Sequence, residues 1–186
     1  TLFVNNACKT TKFEVDSVII LEPSEARFES VDTSCINASI FFENQSNIGD
    51  GNDCVKVIDE IWDFGDGSDP IRRFSVTSIS NIEHIYTKAG TYTVSLTVGN
   101  SKCGLDTFTK EICIEPELTP TFSVDNEEGC IPFSVTTSNT TDQTELCSPP
   151  SYNWSVSYNS DNCGTTSDWE FTNGTNATSE NPEFIF

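Results

Sequence analysis

The sequence predicts an all-β protein made of sandwich domains joined end to end. Two observations carry that expectation. Eight or so short apolar stretches are separated by Gly, Asn, Asp and Pro every 8 to 12 residues, the spacing of strands and turns in a two-sheet sandwich rather than of helices. The same residues also recur at a fixed interval. Cys35-Ile36 returns as Cys130-Ile131, and Phe28 followed by Ser30-Val31-Asp32 returns as Phe122-Ser123-Val124-Asp125, at offsets of 94 or 95.

Taken in order, the opening segment TLFVNNACKTTKFEVDSVIILEP matches an internal one, SLTVGNSKCGLDTFTKEICIEP, with Cys8 falling 95 before Cys103. Residues 1–20 are therefore expected to be the C-terminal hairpin of a preceding unit. Residues 21–116 are expected to form one complete domain. Within it Ala38, Ile40 and Phe42 alternate as one buried strand face, Trp62 and Phe64 add bulk, and Phe108, Ile112 and Ile114 give another face. The clearest strand is Thr91–Val98, where Tyr92, Val94, Leu96 and Val98 point one way and four hydroxyl residues the other. Residues 117–186 are expected to begin a second, diverged unit that stops before any counterpart of Thr91 to Ile114. Asn44 maps onto Asn139, Cys54 onto Cys147 and Glu22-Pro23 onto Glu115-Pro116. Trp154 is the preferred counterpart of Trp62 because it keeps the spacing from Cys147; Trp169, in WEFTNG, is the alternative.

Composition narrows the function. The chain has 186 residues and a net charge of −20, with only nine Lys and Arg against 29 Asp and Glu. A phosphate backbone or an acidic headgroup surface needs clustered cations, so nucleic acid and anionic membranes are disfavoured partners. No apolar run approaches the ~18 residues of a bilayer span, so membrane insertion is not expected. The 13 Phe and 35% hydrophobic content supply enough bulk for cores, so the acidity does not by itself mean disorder. All nine basic residues lie at or before Lys110, leaving thirteen acids and no Lys or Arg in residues 111–186. That distribution reads as a solvated, self-repelling surface, with recruitment of a basic partner as the alternative. Eight Cys without a CxxC pair point to disulfides in an oxidising compartment, and six Asn-x-Ser/Thr sequons mark surface loops. With no Met at all, the chain is read as a processed segment.

One motif is specific. Trp62, Asp63, Phe64, Gly65, Asp66 and Gly67 form WDFGDG, a strand with a core Trp running into a tight turn where the glycines can take φ > 0. It is followed by Ile82-Glu-His84-Ile-Tyr86 and by Ala89-Gly90-Thr-Tyr92 at the next corner. Together these resemble the polycystic kidney disease (PKD) domain over most of residues 21–116. The resemblance implies an immunoglobulin-like (PKD-type) β-sandwich in which His84 and Tyr86 are structural. In such a sandwich the B–C and F–G loops share one end. Cys54 is then expected to pair with Cys103, and Cys35 with Cys113. By the same logic Cys8 and Cys147 lack partners within the chain, and Cys163 reaches Cys130.

Chemistry is sparsely marked. Asp63, Asp66 and Asp69 at spacing three offer clustered oxygens, weak candidates for calcium, but turn-forming Asp at a solvated corner explains them without an ion. No other cofactor is expected. No Ser, Cys or Lys has a visible base at a recognisable spacing, so the chain is not expected to be an enzyme. Short Pro-bearing linkers limit flexibility between units. The diverged PKD units, the paired Cys and the closing ENPEFIF strand resemble the giant surface adhesins of Bacteroidetes, including those of gliding motility. That resemblance implies export by the type IX system to the cell surface, with neighbouring repeats of the same chain as the first partners and a polysaccharide or protein surface beyond. The alternative is a PKD-type binding module attached to a secreted hydrolase, with Trp169, Tyr152 and Tyr158 as the aromatic binding candidates. A third reading has the hairpin at residues 1–20 complete the open unit of a second molecule.

Overall fold

The computed structural model describes residues 1–15, 22–48, 58–100, 104–157 and 169–186. The described residues are all-β, without a helix. They fall into two compact units, Thr1–Val31 with Ser39–His84 and Tyr92–Ile112, and Asp32–Ala38 with Ile85–Thr91 and Cys113–Phe186.

The first strands, β1 (Leu2–Asn5) and β2 (Thr10–Phe13), pair only with each other, antiparallel, and every residue of both is exposed. A three-stranded sheet follows, in the order β3 (Phe28–Glu29), β5 (Ser39–Asn44), β8 (Ile82–Ile85). A five-stranded sheet has the order β4 (Thr33–Cys35), β10 (Gly104–Glu115), β9 (Gly90–Asn100), β6 (Ile58–Asp63), β7 (Ile71–Val76).

In the first unit these sheets bury the faces that alternation marks out. Ile40 and Phe42 of β5, Ile58 and Trp62 of β6, Val94, Leu96 and Val98 of β9, and Ile112 of β10 all turn inward. Trp62 lies opposite Leu96 in the β6–β9 register. Its ring meets Phe28 at 5.1 Å, and Phe28 also meets Phe42 at 5.9 Å and Phe108 edge-on at 5.3 Å. Burying each such side chain contributes about 1.5–3 kcal/mol, and an edge-to-face pair about 0.5–1.5 more.

The second unit repeats one half of this arrangement. Its sheet runs β11 (Phe122–Val124), β12 (Ser134–Asn139), β14 (Glu183–Ile185), β13 (Glu170–Phe171). Phe122 pairs with Asn139 as Phe28 pairs with Asn44. The Asn44 amide donates to Asn81 Oδ1 at 3.0 Å, and the Asn139 amide to Asn181 Oδ1 at 2.6 Å. Each of those two strand-ending Asn residues then accepts the amide two positions on, from Ser46 and Thr141. Trp154 packs edge-on against Phe122 at 5.0 Å, as Trp62 packs on Phe28. Trp169 does not take that place. It immediately precedes β13, an added edge strand beside β14, and packs on Phe171 and Phe184.

The cysteine expectations need correction. Cys113 is bridged to Cys147, with Cα atoms 6.2 Å apart, so Cys35–Cys113 does not form and Cys147 has a partner. The reason is register. Strand β4 runs parallel to β10 with Thr33 opposite Cys113 and Cys35 opposite Glu115. Two residues of stagger put the Cα atoms of Cys35 and Cys113 about 8 Å apart, beyond the roughly 7 Å that a disulfide spans. Cys8, Cys35 and Cys130 are exposed thiols. Cys54, Cys103 and Cys163 lie outside the described residues, and with them the Cys54–Cys103 and Cys130–Cys163 pairings.

Candidate functional site

Strand β6 ends in the WDFGDG turn, and each of its residues has a local reason. The Asp63 carboxylate accepts the Gly65 amide at 2.9 Å, closing the chain on itself. Gly65 sits at φ 73°, where a Cβ would lie 2.5 Å from the Thr93 carbonyl oxygen, so only glycine fits; Gly67 is at φ 82°. Asp66 Oδ1 accepts both the amide and the hydroxyl of Ser68, and its Oδ2 lies 2.8 Å from His84 Nε2. The His84 ring stacks on Phe64 at 3.9 Å. Burial alone would raise the Asp66 pKa, but the hydrogen bonds from Ser68 and His84, with the His84 charge, outweigh it and bring it to about 2. The turn thus ties β6 to β8. Asp69 is exposed nearby. Among the described residues no three His, Cys, Asp or Glu side chains gather as a metal site.

Behind the turn lies a residue that sequence reasoning missed. Glu60 is completely buried on the inner face of β6, between Ile58 and Trp62. Its Oε1 accepts from Trp62 Nε1 at 2.9 Å and Asn44 Nδ2 at 3.0 Å, and Arg73 Nη1 approaches its Oε2 at 3.4 Å. The available signal was parity, because Glu60 shares the alternation phase of Trp62. Among the described residues of the second unit no carboxylate takes this place, and there the Asn139 Nδ2 is buried without a hydrogen-bond partner.

The second unit also presents a cleft of about 340 Å³ bordered by Pro120, Phe122, Asn139, Gln143, Tyr152 and Trp154. A shallower apolar trough of about 180 Å³ continues from Phe122 and Trp154 past Val135 to Phe184 and Phe186. Of the aromatic binding candidates, Tyr152 borders the cleft with its hydroxyl bonded to Gln143, Trp169 is half-buried in its own aromatic cluster, and Tyr158 lies outside the described residues. At the rim of the unit the Cys113–Cys147 bridge is reinforced by Glu115, whose Oε1 accepts the Cys147 amide at 3.0 Å and the Ser148 hydroxyl at 3.1 Å.

Comparison with known proteins adds to this geometry. The PKD-domain family model matches residues 32–115. This segment is a PKD domain. Among solved structures, the PKD1 domain of Vibrio anguillarum Epp is 28% identical, covering 53% of this chain and 100% of that one, with a TM-score of 0.40. The PKD1 domain of the Vibrio cholerae metalloprotease PrtV is 31% identical, covering 50% and 98%, with a TM-score of 0.37. The PKD domain of human SorCS2 is 18% identical, covering 61% and 94%, with a TM-score of 0.43. No curated protein matches the chain. Within the PKD domain Trp62, Phe64 and Tyr86 are core, while His84 and Asp66 lock the corner. Gly90 opens β9 at φ 143° and Tyr92 is half-buried two residues on. The family makes this a binding or structural module.

Proposed function

We propose that the chain is a non-catalytic stalk segment of a long secreted cell-surface protein, in which PKD-type units are spaced and held for adhesion or surface motility. The proposed division is a hairpin at 1–20, a complete domain at 21–116 and a diverged unit at 117–186. The observation that carries the reading is the Cys113–Cys147 bridge. It ties Cys113 of β10 to Cys147, closing a segment that holds Pro116 and Pro120, and Glu115 grips the same loop. A covalent strap across a Pro-bearing segment serves stiffness, and a disulfide belongs to the extracellular side. The reading needs no cofactor.

A second reading, a binding module, is favoured by the cleft beside Tyr152 and Trp154, whose neutral amides, hydroxyls and rings suit an uncharged polymer. Incubating the oxidised chain with cellulose, chitin and collagen separates the two. The stalk reading expects the protein in the supernatant; retention on any of the three overturns it in favour of binding.

A further inference from the structure

We infer that Cys35 is the nucleophile of an internal thiol–disulfide exchange, in which its sulfur displaces Cys113 from the Cys113–Cys147 bridge and takes Cys147 as its own partner. The inference starts from the bridge but does not depend on the stalk reading, whose own test is retention on polymers.

Placement comes first. Ile112 and Ile114 of β10 are buried, so Cys113 and Glu115 stand on the opposite face of that strand. Strand β4 lies parallel beside them at the edge of its sheet, with Thr33 opposite Cys113 and Cys35 opposite Glu115. Residues paired across a ladder share a face, so Cys35 is on the bridge's side of the sheet, its Cα about 4.8 Å from that of Glu115. Glu115 in turn holds the other half of the bridge, since its Oε1 accepts the Cys147 amide at 3.0 Å and the Ser148 hydroxyl at 3.1 Å. All three cysteines belong to one compact unit.

The same geometry selects the sulfur that is attacked. The two-residue stagger that keeps Cys35 from Cys113 does not separate it from Cys147, because Cys147 is anchored at Glu115, level with Cys35. The Cys35 thiol is exposed and sits on the last residue of β4, where a turn begins that the Ala38 amide closes by donating to the Cys35 carbonyl at 3.3 Å.

The step needs neither oxidant nor reductant. The Cys35 thiolate attacks Cys147 Sγ, the Cys113–Cys147 sulfur bond breaks as Cys35–Cys147 forms, and Cys113 leaves as a thiolate that takes up the proton Cys35 gave up. One thiol and one disulfide are present before and after. What changes is the covalent loop. The closed segment grows from residues 114–146 to residues 36–146, and it then takes in most of the PKD segment 32–115.

The test is disulfide mapping of the oxidised 186-residue chain. The protein is held under argon at about pH 8 without added thiol, sampled over minutes to hours, the timescale of uncatalysed disulfide rearrangement, then acid-quenched and alkylated. Cleavage after Glu29, Glu43, Glu111, Glu117 and Glu145 puts the three cysteines on separate peptides, and fragmentation distinguishes Cys147 from Cys163 on the last of them. A population bridged Cys35–Cys147, with Cys113 alkylated in equal amount, is expected beside the Cys113–Cys147 form. Cys35→Ser is expected to leave Cys113 blocked throughout, and Cys8→Ser with Cys130→Ser to leave the exchange unchanged. The proposal is overturned if Cys113 stays blocked and Cys35 alkylatable at every time, if Cys113 is released in Cys35→Ser, if release requires Cys8 or Cys130, or if the new bridge is Cys35–Cys113.

Discussion

Glu60 couples its neighbours because a carboxylate enclosed in a sandwich persists only when its oxygens are occupied. Glu60→Ala leaves the Trp62 indole and the Asn44 amide as buried donors without an acceptor. Equilibrium urea unfolding is expected to show a loss of about 3–5 kcal/mol, and Glu60→Gln, which keeps one oxygen, a smaller loss. Gly65→Ala drives a Cβ toward the Thr93 carbonyl at an unfavourable φ, and a loss of about 2–3 kcal/mol is expected in the same assay. The sign for Asp66 follows from its lowered pKa. Its contribution is complete above pH 4, the unfolded value, and disappears as the pH falls toward about 2. Denaturation followed from pH 5 to 2 should therefore show an acid-labile increment of about 1 kcal/mol, after allowance for solvent screening, that is missing in Asp66→Asn. The turn chemistry of Asp63 and Asp66 was legible because each acts on backbone two residues away. Glu60 was not, because its reason for being buried comes from Asn44 and Arg73, on other strands.

Strands were legible wherever alternation is strict, as in β5 and β9, where Ile40, Phe42, Val94, Leu96 and Val98 turn inward as the period-2 pattern selects. The repeat phasing carried further than periodicity, since Asn44 and Asn139 end equivalent strands with equivalent bonds. Strand β13 was not legible: two residues beside Trp169 have no alternation to read, and their pairing is decided by β14. Cysteine pairing failed for a related reason. Sandwich topology says which ends meet but not the register, and the parallel β4–β10 stagger of two residues decided against Cys35. The bridge that does form closes a separation of 34 residues, for which the chain-entropy model gives about 3–4 kcal/mol. Cys147→Ser is expected to lower the thermal midpoint of the oxidised protein, as differential scanning calorimetry would read it.

For the whole molecule, a chain with nine cations and 29 anions keeps its distance from other acidic surfaces, and the expected supernatant in polymer pull-downs belongs to this scale. Calcium does too: a chelator is expected to leave the melting temperature unchanged, because the Asp63 and Asp66 carboxylates already accept hydrogen bonds within the turn and from His84. The Cys113–Cys147 bridge has a consequence under load. When the ends of the molecule are pulled apart, tension crosses the sulfur bond and never reaches the 33 residues between the two cysteines. Reduction frees them, and unfolding in an optical trap should then release about 11–12 nm more contour length per molecule. The oxidation state of this bond thereby sets how far the segment it closes yields.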